Sequence, residues 1–394
     1  MVAYIRKMAV ERNRWLDEAT FRDGVALCQT IPGAIAMQTA AYVGLRSRGL
    51  PGAAVCFVGF GLPAFCFMAI LSACYARTHD LPLVLATFAG LQAVTVAIVA
   101  NATITFGKRS VASLADVIIA ALAAVMLTLK VNPIVAILLA ALMGIVLYRG
   151  RTKDRGRDRS HAMAAGRDSN APDTIESCPT DSLRGPTSKP QATDGAAFCV
   201  RPRWRMTPLL LVVAAGFALL FVASRGLFDL AALMFRIDLF AFGGGFASVP
   251  LMYHEVVDVR SWMDGETFMN GIALGQVTPG PIVITATFVG YLLYGIAGAV
   301  VATASVFLPS FLMVVGVVPY FDRLRASDYF RRCMSSILAS FVGLLLSVTL
   351  QFALDVPWDV PRLVLAVVAL AALLLRADVL WVVLAAIAVS LLIL

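Results

Sequence analysis

Two short segments of the chain combine a glutamine, a proline and a glycine, and they carry the residue types best suited to binding a ligand. These residues are Gln29, Pro32 and Gly33 in the first segment and Gln276, Pro279, Gly280 and Pro281 in the second. Proline lacks an amide hydrogen and disfavours helix in the preceding residue, so each segment is expected to break a helix. A helix that starts after such a break points free N–H groups and its positive dipole end at a ligand. This chemistry suits an anion and needs no buried arginine, while a simple packing kink is the alternative interpretation.

A run of three glycines is the third candidate for contact with a ligand, and it consists of Gly243, Gly244 and Gly245. The run is not followed by the Lys and Ser/Thr of a phosphate-binding loop, nor preceded by a strand, so nucleotide binding is not expected. Two interpretations stay open. The glycines allow either close helix packing through small residues or a direct approach of the backbone to a substrate.

Most other polar residues in the apolar part of the chain are expected to have structural roles. Asp116 and Asp238 are predicted near helix starts, where the helix dipole or the membrane interface stabilises a carboxylate, and a functional role within the membrane is the alternative. Gln92 and Asn101 are predicted to form hydrogen bonds between helices.

A tryptophan and an aspartate precede each proline-glycine segment, as Trp15 with Asp17 and Trp262 with Asp264. A tryptophan in such a place is typical of the membrane interface. An aspartate there is typical of a helix N-cap.

No catalytic or metal-binding pattern is present in the sequence. The histidines, all predicted in loops, are His79, His161 and His254. The cysteines, which lack metal-binding spacing, are Cys28, Cys56, Cys66, Cys74, Cys178, Cys199 and Cys333. No HExxH and no Ser/His/Asp set converges on one helix, so we expect neither an enzyme nor a cofactor.

The composition predicts an integral membrane protein. Hydrophobic residues make up 60% of the 394 residues, charged residues 14%, and the mean hydropathy is +0.85. About 20 apolar residues cross a bilayer, and long charge-free runs predict about twelve helices. They lie near 24–45, 51–76, 81–106, 112–130, 131–148, 207–224, 239–252, 271–293, 296–321, 333–354, 361–375 and 377–394. Residues 1–23 contain no apolar stretch, so no cleaved signal peptide is expected.

A polar, basic segment divides the chain. Residues 149–205 contain twelve Lys or Arg and seven Asp or Glu, so five of the eight net positive charges lie there. The segment has few large apolar residues and is predicted to be a flexible cytoplasmic linker. Its charge therefore indicates a cytoplasmic loop rather than a nucleic-acid-binding surface.

An internal repeat is the strongest signal in the sequence. Trp15–Gly33 and Trp262–Gly280 are identical at ten of nineteen positions, and LPAF at Leu62–Phe65 recurs as LPSF at Leu308–Phe311. We therefore predict an all-α polytopic membrane protein with an N-terminal repeat over 1–148, the linker, a connecting helix over 206–226 and a C-terminal repeat over 227–394. The predicted helix 239–252 has no upstream counterpart, so the chain is expected to begin inside its own repeat.

The unpaired helix at 207–224 predicts that the two repeats are inverted, an arrangement that places substrate near the middle of the membrane. The distribution of Lys and Arg supports this orientation except at residues 1–23. If 24–45 is one span, the five Lys and Arg of this segment face outward.

The duplicated W-x-D-x-x-T-F-x-x-G-x-A-L-x-Q-x-x-P-G pattern, the GGG-x-x-x-x-P-L of Gly243–Leu251 and the repeated LP-x-F resemble the chromate ion transporter family. The resemblance implies a carrier of the bacterial inner membrane that exports chromate and gives chromate resistance. Its partners are then chromate or a sulfate-like dianion and membrane lipid, with no nucleic acid, and a homodimer is allowed. Two alternatives stay open: an importer or exchanger of sulfate or another tetrahedral oxyanion, and a truncated copy that does not transport.

This sequence departs from the family pattern in two places. The first repeat has no Gly-Gly-bearing helix before Met1, and the PGP of Pro279–Pro281 is reduced to Pro32, Gly33 and Ala34.

Overall fold

The computed structural model describes residues 1–147, 203–320 and 327–393, and the regular elements within these ranges are all helices. The first half contains α1 (Val2–Arg6), α2 (Glu18–Thr30), α3 (Ile35–Thr78), α4 (Pro82–Ser110), α5 (Leu114–Thr128) and α6 (Pro133–Leu147). A further helix, α7 (Arg203–Ala223), connects the halves. The second half contains α8 (Arg225–Leu239), α9 (Ser248–Tyr253), α10 (Gly265–Val277), α11 (Thr285–Val317), α12 (Asp328–Asp355), α13 (Val360–Leu374) and α14 (Val379–Ile393). Except for its last three residues, the predicted linker 149–205 lies outside the described residues.

Within the described residues, five stretches are long and apolar enough to cross a membrane. They are Ile35–Thr78, Val84–Ser110, Met206–Ala223, Ile282–Val317 and Tyr329–Asp355. Large apolar side chains such as Leu114, Val222 and Leu354 are more than four-fifths exposed. Such side chains are stable in contact with lipid, so the chain is a multi-pass membrane protein.

The two halves repeat the same elements in the same order. The elements from α1 to α6 match those from α9 to α14, and α1 and α9 each continue into a single π-helical turn, at Lys7–Arg12 and His254–Val259. The predicted homologous halves are confirmed. The segment 239–252 is not one helix as predicted, because α8 ends at Leu239 and a loop with Gly243 and Gly244 at positive φ leads to α9. Within the described residues, α8 and this loop are the parts of the second half without a first-half counterpart.

Each half contains a re-entrant helical hairpin where the sequence predicted one broken span. The ring of Tyr42 in α3 packs directly on Gly24 in α2, and its hydroxyl donates to the Thr20 carbonyl over 3.4 Å. In the second half the ring of Phe288 packs on Gly271 in the same way. The helices before and after each proline-glycine segment are therefore antiparallel. The predicted breaks are confirmed, but the prediction that the chain continues across the membrane at each break is wrong.

A second reversal follows each hairpin inside α3 and α11. The backbone leaves helical geometry at Arg48–Gly49 and at Tyr294–Gly295, with Gly49 and Gly295 at positive φ. Gly44 lies against the carbonyl of Gly52. In a continuous helix, residues eight apart are separated by about 12 Å. The chain therefore turns back sharply and then crosses the membrane in one long helix. The two reversals lie between the predicted helices, at 45–51 and at 293–296.

The halves exchange contacts reciprocally. Helix α12 packs against α5 and α6 of the first half, while α4 packs against α13 and α14 of the second. Helices α4 and α12 also contact each other, as do α3 and α11. Such reciprocity is expected of two copies related by a pseudo-two-fold axis.

The hairpins change the expected placement of the N-terminal charges. Because both ends of a re-entrant hairpin lie on one side, residues 1–23 share a side with Arg46 and Arg48. The expectation that the five Lys and Arg of this segment face outward is therefore wrong. With the linker in the cytoplasm, all of these charges face inward, as the positive-inside rule requires.

Candidate anion-binding site

The tip of the first hairpin, residues 31–34, is buried and held by backbone hydrogen bonds. Gly33 has a φ of 114°. Its N–H donates to the Ala241 carbonyl at 2.9 Å, and the Ala34 N–H donates to Ser310 Oγ at 3.0 Å. The tip is thus attached both to the glycine loop after α8 and to the LPSF segment of α11.

The tip of the second hairpin, residues 278–281, packs in the equivalent way. Gly280 lies against Ala64, the residue of the LPAF segment that corresponds to Ser310. The repeated LP-x-F motif therefore supports the hairpin tip of the opposite half in both copies. Sequence comparison found the motif but gave no sign of this contact.

The glycine loop, residues 240–247, lies between the two hairpin tips. A side chain at Gly244 would meet Ile35, the first residue of α3, and one at Gly245 would come within 3.0 Å of Ile282. Ile282 begins the short 3-10 turn Ile282–Ile284 that leads into α11. The structure therefore brings together the three segments predicted from sequence, which are the two proline-glycine breaks and the glycine run.

Three helical starts at this junction lack a cap from their own N-cap side chain, although Ser310 Oγ accepts the Ala34 N–H at the start of α3. They are the starts of α3, of the turn Ile282–Ile284 and of the turn Gly245–Ala247. Six other described helices are capped, by Asp17, Ser113, Ser224, Asp264, Ser327 and Asp359, whereas α1 and α4 also lack a side-chain cap. Helical starts that lie close together without N-cap side chains favour an anion with several oxygen acceptors.

The predicted ligand residues differ in how far they are buried at this junction. Pro32 and Gly33 are buried in the first tip, whereas Pro279 is exposed. Gln29 lies on α2 with its side chain exposed, while the side-chain nitrogen of Gln276 is buried and has no hydrogen-bond partner in the described part of the chain. Binding of a ligand by these residues stays a prediction.

Comparison with known proteins follows the two halves of the structure. The family described as Chromate transporter matches residues 1–145 and 228–391. The chain belongs to the chromate transporter family. The matched regions cover both repeats and leave out the linker and α7.

The relatives of this family member include proteins named as chromate transport proteins and an uncharacterised transporter. It is 39% identical to an uncharacterised transporter of Methanocaldococcus jannaschii, over 100% of this chain and 89% of the relative. It is 28% identical to the chromate transport protein of Cupriavidus metallidurans, over 95% of this chain and 82% of that protein. It is 27% identical to the chromate transport protein of Pseudomonas aeruginosa, over 91% and 77% respectively. No solved structure matches the chain.

One carboxylate of this chromate transporter family member lies beside the first tip. Asp238 is fully buried, and its Oδ2 accepts hydrogen bonds from the Ser310 N–H at 2.9 Å and the Ser310 hydroxyl at 2.7 Å. The prediction that Asp238 is near a helix start is wrong, because it lies in the last turn of α8. Ser310 and Gln38, which also lie at this tip, were missed. The difference between Ser310 and its copy Ala64 was the available sequence signal.

An ion-paired cluster fixes α9 relative to its neighbours. Glu255 pairs with Arg236 of α8, and Asp258 pairs with Lys130, which follows α5, at 3.4 Å. His254 is buried in the π-helical turn, with its Nδ1 at 3.6 Å from Asp258 Oδ2, rather than in a loop as predicted. Because the glycine loop joins α8 to α9, these pairs help to position that loop.

Several predicted structural roles are confirmed. Asp17 and Asp264 cap α2 and α10, and hydrogen bonds from Thr20 lower the pKa of Asp17 below its ordinary value. Asp116 completes a capping box with Ser113 at the start of α5.

The prediction for Gln92 is also confirmed. Its side-chain nitrogen donates to Glu266 at 2.9 Å and to Asn270 at 3.0 Å, which joins α4 to α10. Among the residues that the structure describes, no group of three or more His, Cys, Asp or Glu is placed to hold a metal ion. His161, Cys178 and Cys199 lie outside the described residues.

Proposed function

We propose that this chain is a secondary transporter of the bacterial inner membrane that exports chromate from the cytoplasm and so gives chromate resistance. The observation that carries the proposal is that three helical starts without N-cap side chains lie next to one another at the junction of the hairpin tips and the glycine loop. A tetrahedral dianion presents oxygen acceptors in several directions, and N–H groups from separate segments suit such an ion. Membership of the chromate transporter family supports an oxyanion substrate.

The proposed path runs between the two halves. The first tip, of the N-terminal repeat, contacts the glycine loop and α11 of the C-terminal repeat. In inverted-repeat transporters, substrate lies near the membrane midplane between discontinuous helices of the two repeats. The reciprocal packing of the halves and the inward placement of the N-terminal charges support the inverted arrangement.

The membrane potential is a sufficient driving force for export. At about 100 mV, negative inside, the export of each negative charge releases roughly 2.3 kcal/mol of free energy, so the export of a dianion releases about 4.6 kcal/mol. That free energy corresponds to a concentration ratio on the order of a thousandfold. Uptake into inverted vesicles that persists without a potential and requires ATP contradicts this mechanism.

The test of function is uptake of radiolabelled chromate into inverted inner-membrane vesicles that contain the full chain. We expect chromate to accumulate when the vesicle interior is positive, and we expect vesicles without the protein to show no accumulation. Excess unlabelled sulfate serves as the competitor, since the N–H groups recognise charge and shape. Absence of chromate uptake by the full chain contradicts the proposal. Accumulation of labelled sulfate but not of chromate contradicts chromate as the substrate and does not contradict the proposed anion-binding site.

A further inference from the structure

Asp238 has one carboxylate oxygen that the described residues around it leave unpaired. Its Oδ2 accepts two hydrogen bonds from Ser310, but its Oδ1 is buried with no hydrogen-bond partner among the described residues. Burying a charged oxygen without a partner is costly, and such groups are normally neutralised or bound to a cation. The local structure therefore calls for a positive partner at Asp238.

A second unpaired oxygen belongs to Gln38, which is also fully buried beside the same tip. Its Nε2 donates to the Pro32 carbonyl at 2.5 Å, and its Oε1 is buried with no partner among the described residues. The side chains flank Gly33, because Gln38 Nε2 and Asp238 Oδ2 lie 2.8 and 3.1 Å from the position of a Cβ on that glycine. Two oxygens that lack donors thus belong to neighbouring side chains.

This polar set is not needed to pack a hairpin tip. At the equivalent position of the second tip, Gly280 packs against the methyl group of Ala64 in place of Ser310. The two tips therefore share a fold but differ in chemistry: within the described residues, a carboxylate is among the nearest contacts of Gly33 and not of Gly280.

We propose that Asp238 and Gln38 form a binding site for a monovalent cation, either a proton or Na⁺, beside the first hairpin tip. The ligand atoms are Asp238 Oδ1 and Gln38 Oε1, both oxygens of the kind that hard cations prefer. Asp238 lies in the last turn of α8, where the negative end of the helix dipole adds attraction for a cation. Discontinuous helices bind coupling cations in this manner in other membrane carriers.

The cation site is linked to the anion site through Ser310. The Ser310 hydroxyl donates to Asp238 and accepts from the Ala34 N–H at the start of α3. A negative Asp238 repels an anion at that helix start, and a bound cation removes the repulsion. Cation and anion therefore increase each other's affinity by the same factor. This linkage rests on the proposed oxyanion transport, whereas binding of the cation does not.

The test measures cation binding to the purified full chain without chromate. Thermal unfolding is followed at constant ionic strength in Na⁺ and in K⁺, over a range of pH. For a sodium site we expect a Tm that rises with Na⁺ concentration in the wild type and not in Asp238→Asn. For a proton site we expect an infrared carbonyl band of a protonated carboxyl group in the wild type, lost in Asp238→Asn.

Two further variants keep the test decisive. Asp116→Asn removes another buried carboxylate, one engaged in capping α5, and is expected to lower the Tm but to keep the cation response. Gln38→Met retains the volume of Gln38 without its oxygen, so it is expected to weaken the sodium response severalfold. This variant supplies the test if Asp238→Asn does not fold.

The proposal is overturned if the wild type shows neither response, or if Asp238→Asn retains the wild-type response. A sodium or proton response in a chain that fails to transport chromate contradicts the proposed function only. Chromate transport without any cation response contradicts the cation site only.

Discussion

Gly33 combines a φ of 114° with contacts that leave no room for a side chain. A Cβ at this position would collide with Ser310 Oγ and lie close to Gln38 and Asp238. The residue therefore meets two demands at once, a backbone conformation that favours glycine and a close approach to the opposite half. This makes Gly33 the sharpest single-residue test of the site.

We predict that Gly33→Ala abolishes chromate uptake and lowers stability by about 1–3 kcal/mol, through strain at positive φ and overpacking. The measurements are uptake into inverted vesicles and the denaturation midpoint of the purified protein. Gly59→Ala is the matched control, because Gly59 lies within α3 and a Cβ there meets open space. Normal uptake by Gly33→Ala, or equal loss in both variants, contradicts the assigned role of the tip.

The helical hairpins are the elements that place each proline-glycine break at the candidate anion-binding site. Each break returns the chain to the side from which it came, and a reversal at Gly49 or Gly295 then sends it across the membrane. The close contact of Gly44 with Gly52, repeated as Gly290 with Gly298, fixes this second reversal. Small residues at such contacts allow backbones to approach within membranes.

We predict that Gly44→Val destabilises the protein by roughly 1–3 kcal/mol because the added side chain meets the Gly52 backbone. The comparison variant is Gly216→Val in α7, where a Cβ has open space. The measurement is the midpoint of unfolding of each purified variant as a denaturing detergent is added. If Gly44→Val is as stable as Gly216→Val, the close helix contact at Gly44 is absent.

At the scale of the whole molecule, the reciprocal packing of the halves and the odd helix α7 together predict an inverted pair of repeats. The reversals at Arg48–Gly49 and Tyr294–Gly295 occupy equivalent positions in the two copies. An inverted arrangement puts them on opposite sides of the membrane. The re-entrant hairpin also puts Arg12 on the same side as Arg48.

We predict opposite labelling of single cysteines placed at these two reversals in a chain whose native cysteines are replaced. A membrane-impermeant maleimide is expected to label Tyr294→Cys in intact spheroplasts, and Arg48→Cys and Arg12→Cys only in inverted vesicles. A permeant maleimide that labels all three is the control. Labelling of Arg48→Cys and Tyr294→Cys from one side indicates parallel repeats, and labelling of Arg12→Cys opposite to Arg48→Cys contradicts the hairpin.

Several features of the protein were decided by local sequence. The ten identities between Trp15–Gly33 and Trp262–Gly280 establish the duplication. Pro32 and Pro279 place the breaks, because a missing N–H acts on the residue itself and its immediate neighbours. Asp17 and Asp264 cap helices three residues from their partners, again a local interaction.

Only the tertiary structure decided the direction of the chain after each break and the partners of the buried polar groups. A break does not specify which way the next helix runs; in the first hairpin the contact of Gly24 with Tyr42 settles it. Asp238 accepts a hydrogen bond from the hydroxyl of Ser310, which lies 72 residues later in the sequence and in a different helix. Such contacts depend on how whole helices pack, and no local residue pattern encodes that packing.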